Sequence, residues 1–382
     1  MIVIMQELGL YVHIPFCKQK CYYCDFCSYP DKLSLQNQYI NSIMKEIESI
    51  ENKENYMIKT IYIGGGTPSI INPYLIEKLL NKIKGEFCVL DESEITIEVN
   101  PGTITEEKLN IYKKSGINRL SIGLQSTNDN LLKEIGRIHN YKDFENTFEL
   151  ARMTGFSNIN VDLMIGLPNQ RLDDVIKSLE KLIAKSPEHI SVYSLIVEEG
   201  TPIDKLINLE KLNLPDEDLE RSMYKSVKEI LEQNGYNQYE ISNFAKKSYE
   251  SKHNMDCWNQ NEYIGLGAAA HSYLNSTRYS NTNNIEEYIK NIEMDNYQKN
   301  ITIHENQTKE DMMREYMIIG LRKIEGISIK KFKQKFNENP LNVFKQEINK
   351  MQDLKLLQKT EETIKLTLKG IDFANIVWEE FI

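Results

Sequence analysis

The chain has 382 residues, of which 41% are hydrophobic and 27% are charged, and its net charge is −10. This acidic total, with no block rich in lysine or arginine, disfavours a nucleic-acid partner. The apolar runs are only about strand length and the first seven residues lack the regions of a secretory signal, so neither a transmembrane helix nor secretion is predicted.

Short β-rich segments alternate with helical segments over the first half of the chain. Six strands are predicted at Leu10–Ile14, Thr60–Gly64, Glu94–Val99, Arg119–Gly123, Asn158–Ile165 and His189–Ile196. Five segments between them have apolar residues at helical spacing: Leu35–Ile50, Tyr74–Ile83, Thr105–Lys114, Tyr141–Met153 and Asp173–Ala184. This alternation predicts an α/β fold with a parallel sheet, as in a full or partial (β/α) barrel.

The second half of the chain has a different pattern. It predicts a helix at Leu214–Gln233, a strand or extended segment at Tyr236–Phe244, a loop of small residues at Ile264–His271 and an asparagine-rich, solvated connection over residues 275–306. From Asp311 onward two helices, a hairpin at Leu357–Leu368 and a last helix at Ile371–Phe381 suggest a small winged-helix-like α+β module.

Glycine-containing or polar segments follow five of the six predicted strands. These segments are Cys17–Cys24, Gly64–Pro68, Glu98–Pro101, Gly123–Gln125 and Asp162–Pro168. Each alone is explained by a turn, because glycine and proline are common in such loops. Since functional residues of these folds lie where strands end, five such segments at equivalent positions predict one shared site.

The most distinctive of these segments contains three cysteines, Cys17, Cys21 and Cys24, within eight residues. Such spacing suits zinc or an iron–sulfur cluster. Zinc would need a fourth ligand, for which Cys27, His13 and Cys257 are candidates. A [4Fe–4S] cluster needs only the three and keeps one iron open for a small molecule. Because the cysteines cluster instead of pairing along the chain, a reducing, cytoplasmic setting is predicted.

These motifs resemble those of a known superfamily. The cysteine spacing, Tyr23 before the last cysteine and the Gly64–Thr67 loop are similar to the radical S-adenosylmethionine superfamily. Further segments resemble the oxygen-independent coproporphyrinogen III oxidase family: Tyr11–Cys17, Cys24–Phe26, Ile63–Ser69, Gly123–Ser126, Gly136–His139 and Asp162–Pro168. Segments Tyr239–Phe244, His253–Asn254 and Gly265–Gly267 are most similar to its HemW branch of haem chaperones.

The resemblance implies a partial (β/α)6 barrel with a role for each matching residue. Cys17, Cys21 and Cys24 would ligate the cluster, and S-adenosylmethionine would bind the open iron. The residues implied in binding S-adenosylmethionine are Tyr11, Tyr23, Gly65, Gly66, Thr67, Glu98, Gln125, Arg137 and Asp162. The implied division is a core barrel over 1–235, an extension closing the site over 236–300 and a C-terminal domain over 301–382.

Two positions bear on the branch of the family. The oxidases have a further cysteine two residues after the last ligand, where this chain has Phe26, with Cys27 one step later. The HemW branch is marked by His-Asn-x-x-Tyr-Trp, and this chain has His253-Asn-Met-Asp-Cys257-Trp. His253 is thus the candidate haem ligand, or else a packed core histidine; Cys257 is either a haem-reactive thiol or inert.

The expected function is therefore that of a haem chaperone that carries a [4Fe–4S] cluster and S-adenosylmethionine and passes haem to unidentified acceptor proteins. The alternative is an oxygen-independent coproporphyrinogen III oxidase, which would make the chain an enzyme of radical oxidative decarboxylation. A zinc-stabilised scaffold is the third hypothesis. The resemblance is compatible with a dimer and with weak membrane association through the acceptors.

Overall fold

The computed structural model describes residues 5–382, so the prediction about a secretory signal falls partly outside the described residues. A twelve-stranded mixed sheet forms the centre, in the order β12-β11-β10-β9-β1-β2-β3-β4-β5-β6-β8-β7. Neighbouring strands from β1 to β6 are parallel, which gives the partial (β/α)6 barrel that the sequence predicts. Among residues 5–382, no helix is both long and apolar enough to cross a membrane.

The barrel half contains these elements in chain order. They are β1 (Gln6–Ile14), α1 (Gln36–Ser49), β2 (Tyr56–Gly65), α2 (Pro73–Glu86), β3 (Cys88–Val99), α3 (Glu106–Lys114), β4 (Arg119–Gln125), α4 (Asp129–Glu134), α5 (Tyr141–Met153), β5 (Ile159–Ile165), α6 (Leu172–Lys185), β6 (His189–Ser194), α7 (Pro202–Asn208) and α8 (Glu217–Gln233). All six predicted strands and the helices between them are confirmed.

The two faces of the barrel strands differ in chemistry. Outward residues such as Ile63 and Ile97 are fully buried against the helices in the main hydrophobic core. Inward residues on the same strands are polar, as in Tyr62, Glu98 and Asp162. Parallel strands are usually apolar on both faces, so a polar inner face indicates an interior that binds something.

The sheet continues beyond the barrel at both edges. The added elements are β7 (Asn237–Gln238), β8 (Asn243–Ala245), α9 (Lys252–Trp258), β9 (Tyr263–Leu266), β10 (His271–Leu274), β11 (Thr277–Asn281), α10 (Ile285–Glu293) and β12 (Ile301–Asn306). The prediction of a solvated connection over residues 275–306 is wrong, because β11, α10 and β12 lie there and Ile285 and Tyr288 are fully buried. Part of the predicted small-residue loop is strand β9, which pairs with β1.

The C-terminal module has its own core and sheet. Its elements are α11 (Lys309–Gly320), β13 (Ile327–Ser328), α12 (Ile329–Phe336), α13 (Pro340–Val343), α14 (Lys345–Asp353), β14 (Leu357–Lys359), β15 (Thr363–Leu366), α15 (Leu368–Asp372) and α16 (Ala374–Glu379). The predicted hairpin is confirmed as β14 and β15. The predicted last helix is two short helices that meet at Phe373. The boundaries 1–235, 236–300 and 301–382 stay a prediction.

Candidate functional site

A cavity of about 390 Å³ opens at the carboxyl ends of the barrel strands. Eleven of the predicted site residues line it: Cys17, Cys21, Tyr23, Cys24, Gly65, Gly66, Thr67, Glu98, Gln125, Arg137 and Asp162. Tyr11 and His253 do not. Loops after different strands therefore converge on one site, as the sequence pattern predicts for this edge of a parallel sheet.

The cysteine segment is a loop that returns to the end of β1. The Cys17 amide donates to the Tyr29 carbonyl at 3.3 Å, and the Tyr29 amide donates to the Pro15 carbonyl at 2.7 Å. Within the loop, the Cys24 amide donates to the Cys21 carbonyl at 3.2 Å. Burial raises the pKa of the Cys17 thiol and raises that of Cys24 to about 11, so both thiols need a positive charge nearby to ionise.

The glycine loop after β2 lies against the cysteine loop. The Gly66 amide donates to the Ile14 carbonyl at 2.9 Å, and the Thr67 amide donates to the Phe16 carbonyl at 2.7 Å. A Cβ at Gly66 would lie 2.7 Å from the Phe16 carbonyl oxygen and 3.0 Å from the Cys17 Sγ. The close approach of the two loops therefore requires glycine here.

A chain of hydrogen bonds connects two of the cysteines. The Thr67 hydroxyl donates to the Cys17 Sγ at 3.5 Å and accepts from the Asn100 Nδ2 at 2.9 Å. The Asn100 Oδ1 accepts from the Arg137 Nη2 at 3.0 Å, and the Arg137 Nη1 donates to the Cys21 Sγ at 3.5 Å. Hydrogen-bond donors therefore lie on two of the three sulfur atoms, an arrangement typical of the surroundings of metal-binding thiolates.

Two carboxyl groups lie deeper in the cavity. Glu98 accepts from the Tyr62 hydroxyl at 2.9 Å and from the Gly65 amide at 3.1 Å. Burial and the nearby Asp162 raise the pKa of Glu98 to about 7, although its two donors oppose this. Asp162 accepts from the Asn160 Nδ2 at 2.7 Å, and burial raises its pKa as well. Glu98 therefore changes charge near neutral pH, and a bound cation would favour its ionised form.

Gln125 and Arg137 also line the cavity. Gln125 ends β4 in the left-handed region, with φ +71°, and a Cβ at the adjacent Gly123 would lie 3.2 Å from the Gln125 Nε2. The Arg137 Nε is buried and has no hydrogen-bond partner among residues 5–382. Tyr23 packs beside them in a small apolar cluster with Met164. An unpaired buried donor at a cavity wall indicates a ligand acceptor there.

Tyr11 and His253 lie outside the cavity lining, and both stack on Tyr62, which does line the cavity. The Tyr11 ring stacks on Tyr62 with centroids 6.3 Å apart, and its hydroxyl is 2.9 Å from the His13 Nδ1. His253 stacks on Tyr62 at 5.2 Å, is 7% exposed, and its Nδ1 is 2.9 Å from the Thr60 hydroxyl. Burial and the charge of Arg119 lower the pKa of His253 to about 4.

The remaining cysteines near the motifs face other directions. Phe26 is 63% exposed and lines the cavity, whereas the Cys27 Sγ lies outside it, 3.2 Å from the Asn283 carbonyl oxygen. Cys257 lies on α9, and burial together with Asp256 raises the pKa of its thiol to about 12. A thiol with such a pKa is protonated and unreactive at neutral pH.

Comparison with known proteins agrees with this arrangement. A model of the radical SAM superfamily matches residues 11–182, and one of the HemN C-terminal domain matches residues 307–373. The heme chaperone HemW of Bacillus subtilis is 39% identical over 374 residues, 97% of this chain and 98% of that protein. That of Lactococcus lactis is 37% identical over 372 residues, 97% of this chain and 96% of the relative. The chain belongs to the HemW family of the radical SAM superfamily.

A solved structure shows the same fold. Coproporphyrinogen III oxidase (HemN) from Escherichia coli superposes with a TM-score of 0.85 at 22% identity, covering 99% of this chain and 90% of that chain. HemW proteins and this oxidase thus have one architecture in common. Since fold alone does not define an activity, the architecture does not distinguish a chaperone from an oxidase.

Membership of the radical SAM superfamily implies a [4Fe–4S] cluster and S-adenosylmethionine, and the cavity fits both. The three cysteines line it, and so does the backbone of the glycine loop, which packs closely against the cysteine loop. The unpaired Arg137 Nε and the carboxyl groups of Glu98 and Asp162 match the charges of an amino acid with a sulfonium centre.

Sequence reasoning missed two residues of this HemW-family site. Asn100 joins Thr67 to Arg137, and the Tyr62 hydroxyl orients Glu98. Asn100 could have been predicted as a site residue, because it lies within the Glu98–Pro101 segment that follows β3. Tyr62 is harder to predict, because tyrosine is common in strands whether or not it lines a site.

Proposed function

We propose that this protein is a haem chaperone that holds a [4Fe–4S] cluster and S-adenosylmethionine and transfers haem to acceptor proteins. The observation that carries the proposal is the full-length similarity to two proteins named heme chaperone HemW, at 39% and 37% identity. The chain spans nearly all of both relatives, so the proposal concerns the whole molecule and not one domain.

In this proposal Cys17, Cys21 and Cys24 ligate the cluster. When bound, the cluster and S-adenosylmethionine supply one-electron radical chemistry. Gly65, Gly66 and Thr67 would present their backbone to the ligand along the cavity wall, and Arg137 would offer its free Nε to an anionic group. Glu98, Gln125 and Asp162 line the same cavity and would offer hydrogen-bond acceptors to ribose hydroxyls and negative charge to the cationic sulfonium.

Phe26 supports the chaperone over the oxidase. At the position of the further oxidase cysteine this chain presents an exposed aromatic ring at the mouth of the cavity. A phenyl ring neither transfers a proton nor binds iron. The Cys27 thiol does not replace the missing cysteine, because it faces Asn283.

One preparation tests both functions. The chain is reconstituted anaerobically with iron and sulfide, titrated with haem by absorption spectroscopy, and assayed with coproporphyrinogen III, S-adenosylmethionine and a reductant. We expect roughly one haem per chain and no protoporphyrinogen. Protoporphyrinogen formation would establish the oxidase instead, and the absence of tight haem binding would refute the chaperone.

Acceptor proteins and the cellular setting belong to the same proposal. The acceptors are haem proteins that receive the cargo by direct contact, which pull-down with haem-loaded protein would identify. Because the cysteines form a ligand group near one loop, we place the function in a reducing compartment, the cytoplasm. A dimer and weak membrane association through acceptors stay predictions.

A further inference from the structure

The six histidines of this chain fall into two groups by exposure. Four are buried: His13 at 4%, His139 at 6%, His189 at 0% and His253 at 7% exposure. The other two, His271 and His304, are exposed. A ring that binds the iron of a molecule as large as haem must be reachable from solvent, so exposure is the first condition for a haem ligand.

The buried histidines also have their ring nitrogens engaged within the protein. His13 is 2.9 Å from the Tyr11 hydroxyl and 2.8 Å from the Cys27 carbonyl oxygen. His189 lies 2.6 Å from the Asn160 Oδ1 and 2.8 Å from the Tyr239 hydroxyl. Each would have to give up buried hydrogen bonds before it could bind a metal, and this leaves buried polar groups unpaired at a cost in free energy.

His271 is exposed, and its ring nitrogens are not engaged within the described part of the protein. In residues 5–382 neither of its ring nitrogens has a hydrogen-bond partner within the protein. Its ring stacks on that of His304, with centroids 5.4 Å apart and planes 13° from parallel. The Ser280 hydroxyl holds the His304 Nε2 at 2.7 Å, which fixes the ring against which His271 rests.

The charge state of His271 also suits a ligand. Partial burial, the adjacent His304 and Arg278 on β11 lower the pKa of His271. The Arg278 guanidinium is itself held by Glu315 at 2.6 Å, so its charge stays in place. A neutral imidazole has a free lone pair for iron.

The position of His271 connects it to the cysteine loop. It begins β10 at the carboxyl edge of the sheet, opposite Ser280 of β11. The same loop that carries Cys24 returns past this edge, where the Cys27 Sγ contacts Asn283, two residues beyond β11. The exposed histidine pair and the cluster motif thus lie at the same edge of the sheet.

We propose that His271, held by its stack on His304, is the residue that binds haem iron on this protein, in place of the buried His253. This rests on the proposed haem-binding function and names the ligand within it. His304 is the positioning residue, because it acts through the orientation of the His271 ring.

The test is a haem titration of the cluster-loaded protein and of four variants. These are His271→Gln, His304→Gln, His253→Gln and Thr302→Ala, the last an exposed control on the same edge strand. We expect His271→Gln to weaken haem binding about tenfold or more and to lose the absorption spectrum of histidine-ligated haem. In the variant freed of unbound haem, added imidazole should restore that spectrum, a response that a merely structural role would not give. His304→Gln should shift the spectrum with a smaller loss of affinity.

The outcomes separate the two proposals. If the unaltered protein does not bind haem, the proposed function and this ligand fail together. If it binds haem and His271→Gln binds equally well with an unchanged spectrum, only this inference is overturned. Loss of binding in His253→Gln with normal binding in His271→Gln, at equal cluster content, would assign the ligand to His253.

Discussion

The barrel strands and the sheet extension belong to one sheet but differ in where their polar residues lie. In the barrel, β1 to β6 present their polar inner faces to a common cavity, and motif residues occupy the strand ends. In the extension, β9 to β12 have no recognisable motif beyond small residues, yet they carry both exposed histidines. In our proposals, the first region binds the cofactors and the second region binds haem.

The largest expected effect is on the barrel side. Replacing Cys17 with serine removes one of the three proposed cluster ligands and the sulfur that accepts from the Thr67 hydroxyl. We expect this variant to lose the brown absorbance at about 400 nm and the roughly four irons per chain. Cys27→Ser is the matched control, because its thiol lies outside the cavity. Equal iron loss in both variants would contradict the assignment.

A smaller effect follows from one added methyl group. Gly66→Ala should reduce cluster loading and S-adenosylmethionine binding, because its Cβ would collide with the Phe16 carbonyl and crowd the Cys17 Sγ. Gly85→Ala on α2 is the control, since nothing lies within 4 Å of its Cβ. That helical substitution should raise stability by about 0.5–1 kcal/mol. Iron content and denaturant unfolding measure both.

The link between the two regions can be tested through Glu46 on α1. Its carboxylate accepts from the Tyr288 hydroxyl at 2.6 Å, from the Gly267 amide at 2.8 Å and from the Asn281 Nδ2 at 2.6 Å. Glu46→Ala leaves these donors unpaired and should lower the free energy of unfolding by about 2–3 kcal/mol. Glu48→Ala, which removes only a surface ion pair with Lys82, should cost about 0–1 kcal/mol.

The smallest effect is a pH dependence. Because the pKa of Glu98 is raised to about 7, the group is mostly protonated at pH 6 and ionised at pH 8. If only the ionised form binds the cationic ligand well, affinity for S-adenosylmethionine should rise with pH, by up to about tenfold per unit below the pKa. Isothermal titration calorimetry measures this. In Glu98→Gln the rise should disappear; a rise of the same size there would mean that another group is responsible.

The barrel could be predicted because its signals are local. Hydrophobic periodicity predicts the strands. The residue types within the Cys17–Cys24 and Gly64–Pro68 segments predict functional loops without reference to the rest of the chain. The extension could not be predicted in this way. The run over residues 275–306 looks solvated because its asparagines are numerous, but Asn281 and Asn300 are buried and hydrogen-bonded to Glu46 and Asn291. Only tertiary contacts make such residues part of a core.

Histidine roles show the same limit. The sequence predicts His253 as a haem ligand because of its neighbours Asn254 and Trp258. These neighbours do not indicate that the His253 ring stacks on Tyr62. His271 attracted no attention, because its pairing with His304 joins positions 33 residues apart through β10, β11 and β12. Exposure and hydrogen-bond partners are properties of the fold, so they add a criterion for choosing between the histidines that the motif alone does not contain.

The return of the cysteine loop to β1 has an entropic consequence. The backbone hydrogen bonds of Cys17 and Tyr29, together with the contact of the His13 ring with the Cys27 carbonyl, close the loop. Much of the conformational freedom that a flexible loop would lose on binding iron is therefore already lost during folding. The three thiols are therefore preorganised, and ordering the loop subtracts little from the free energy of cluster binding.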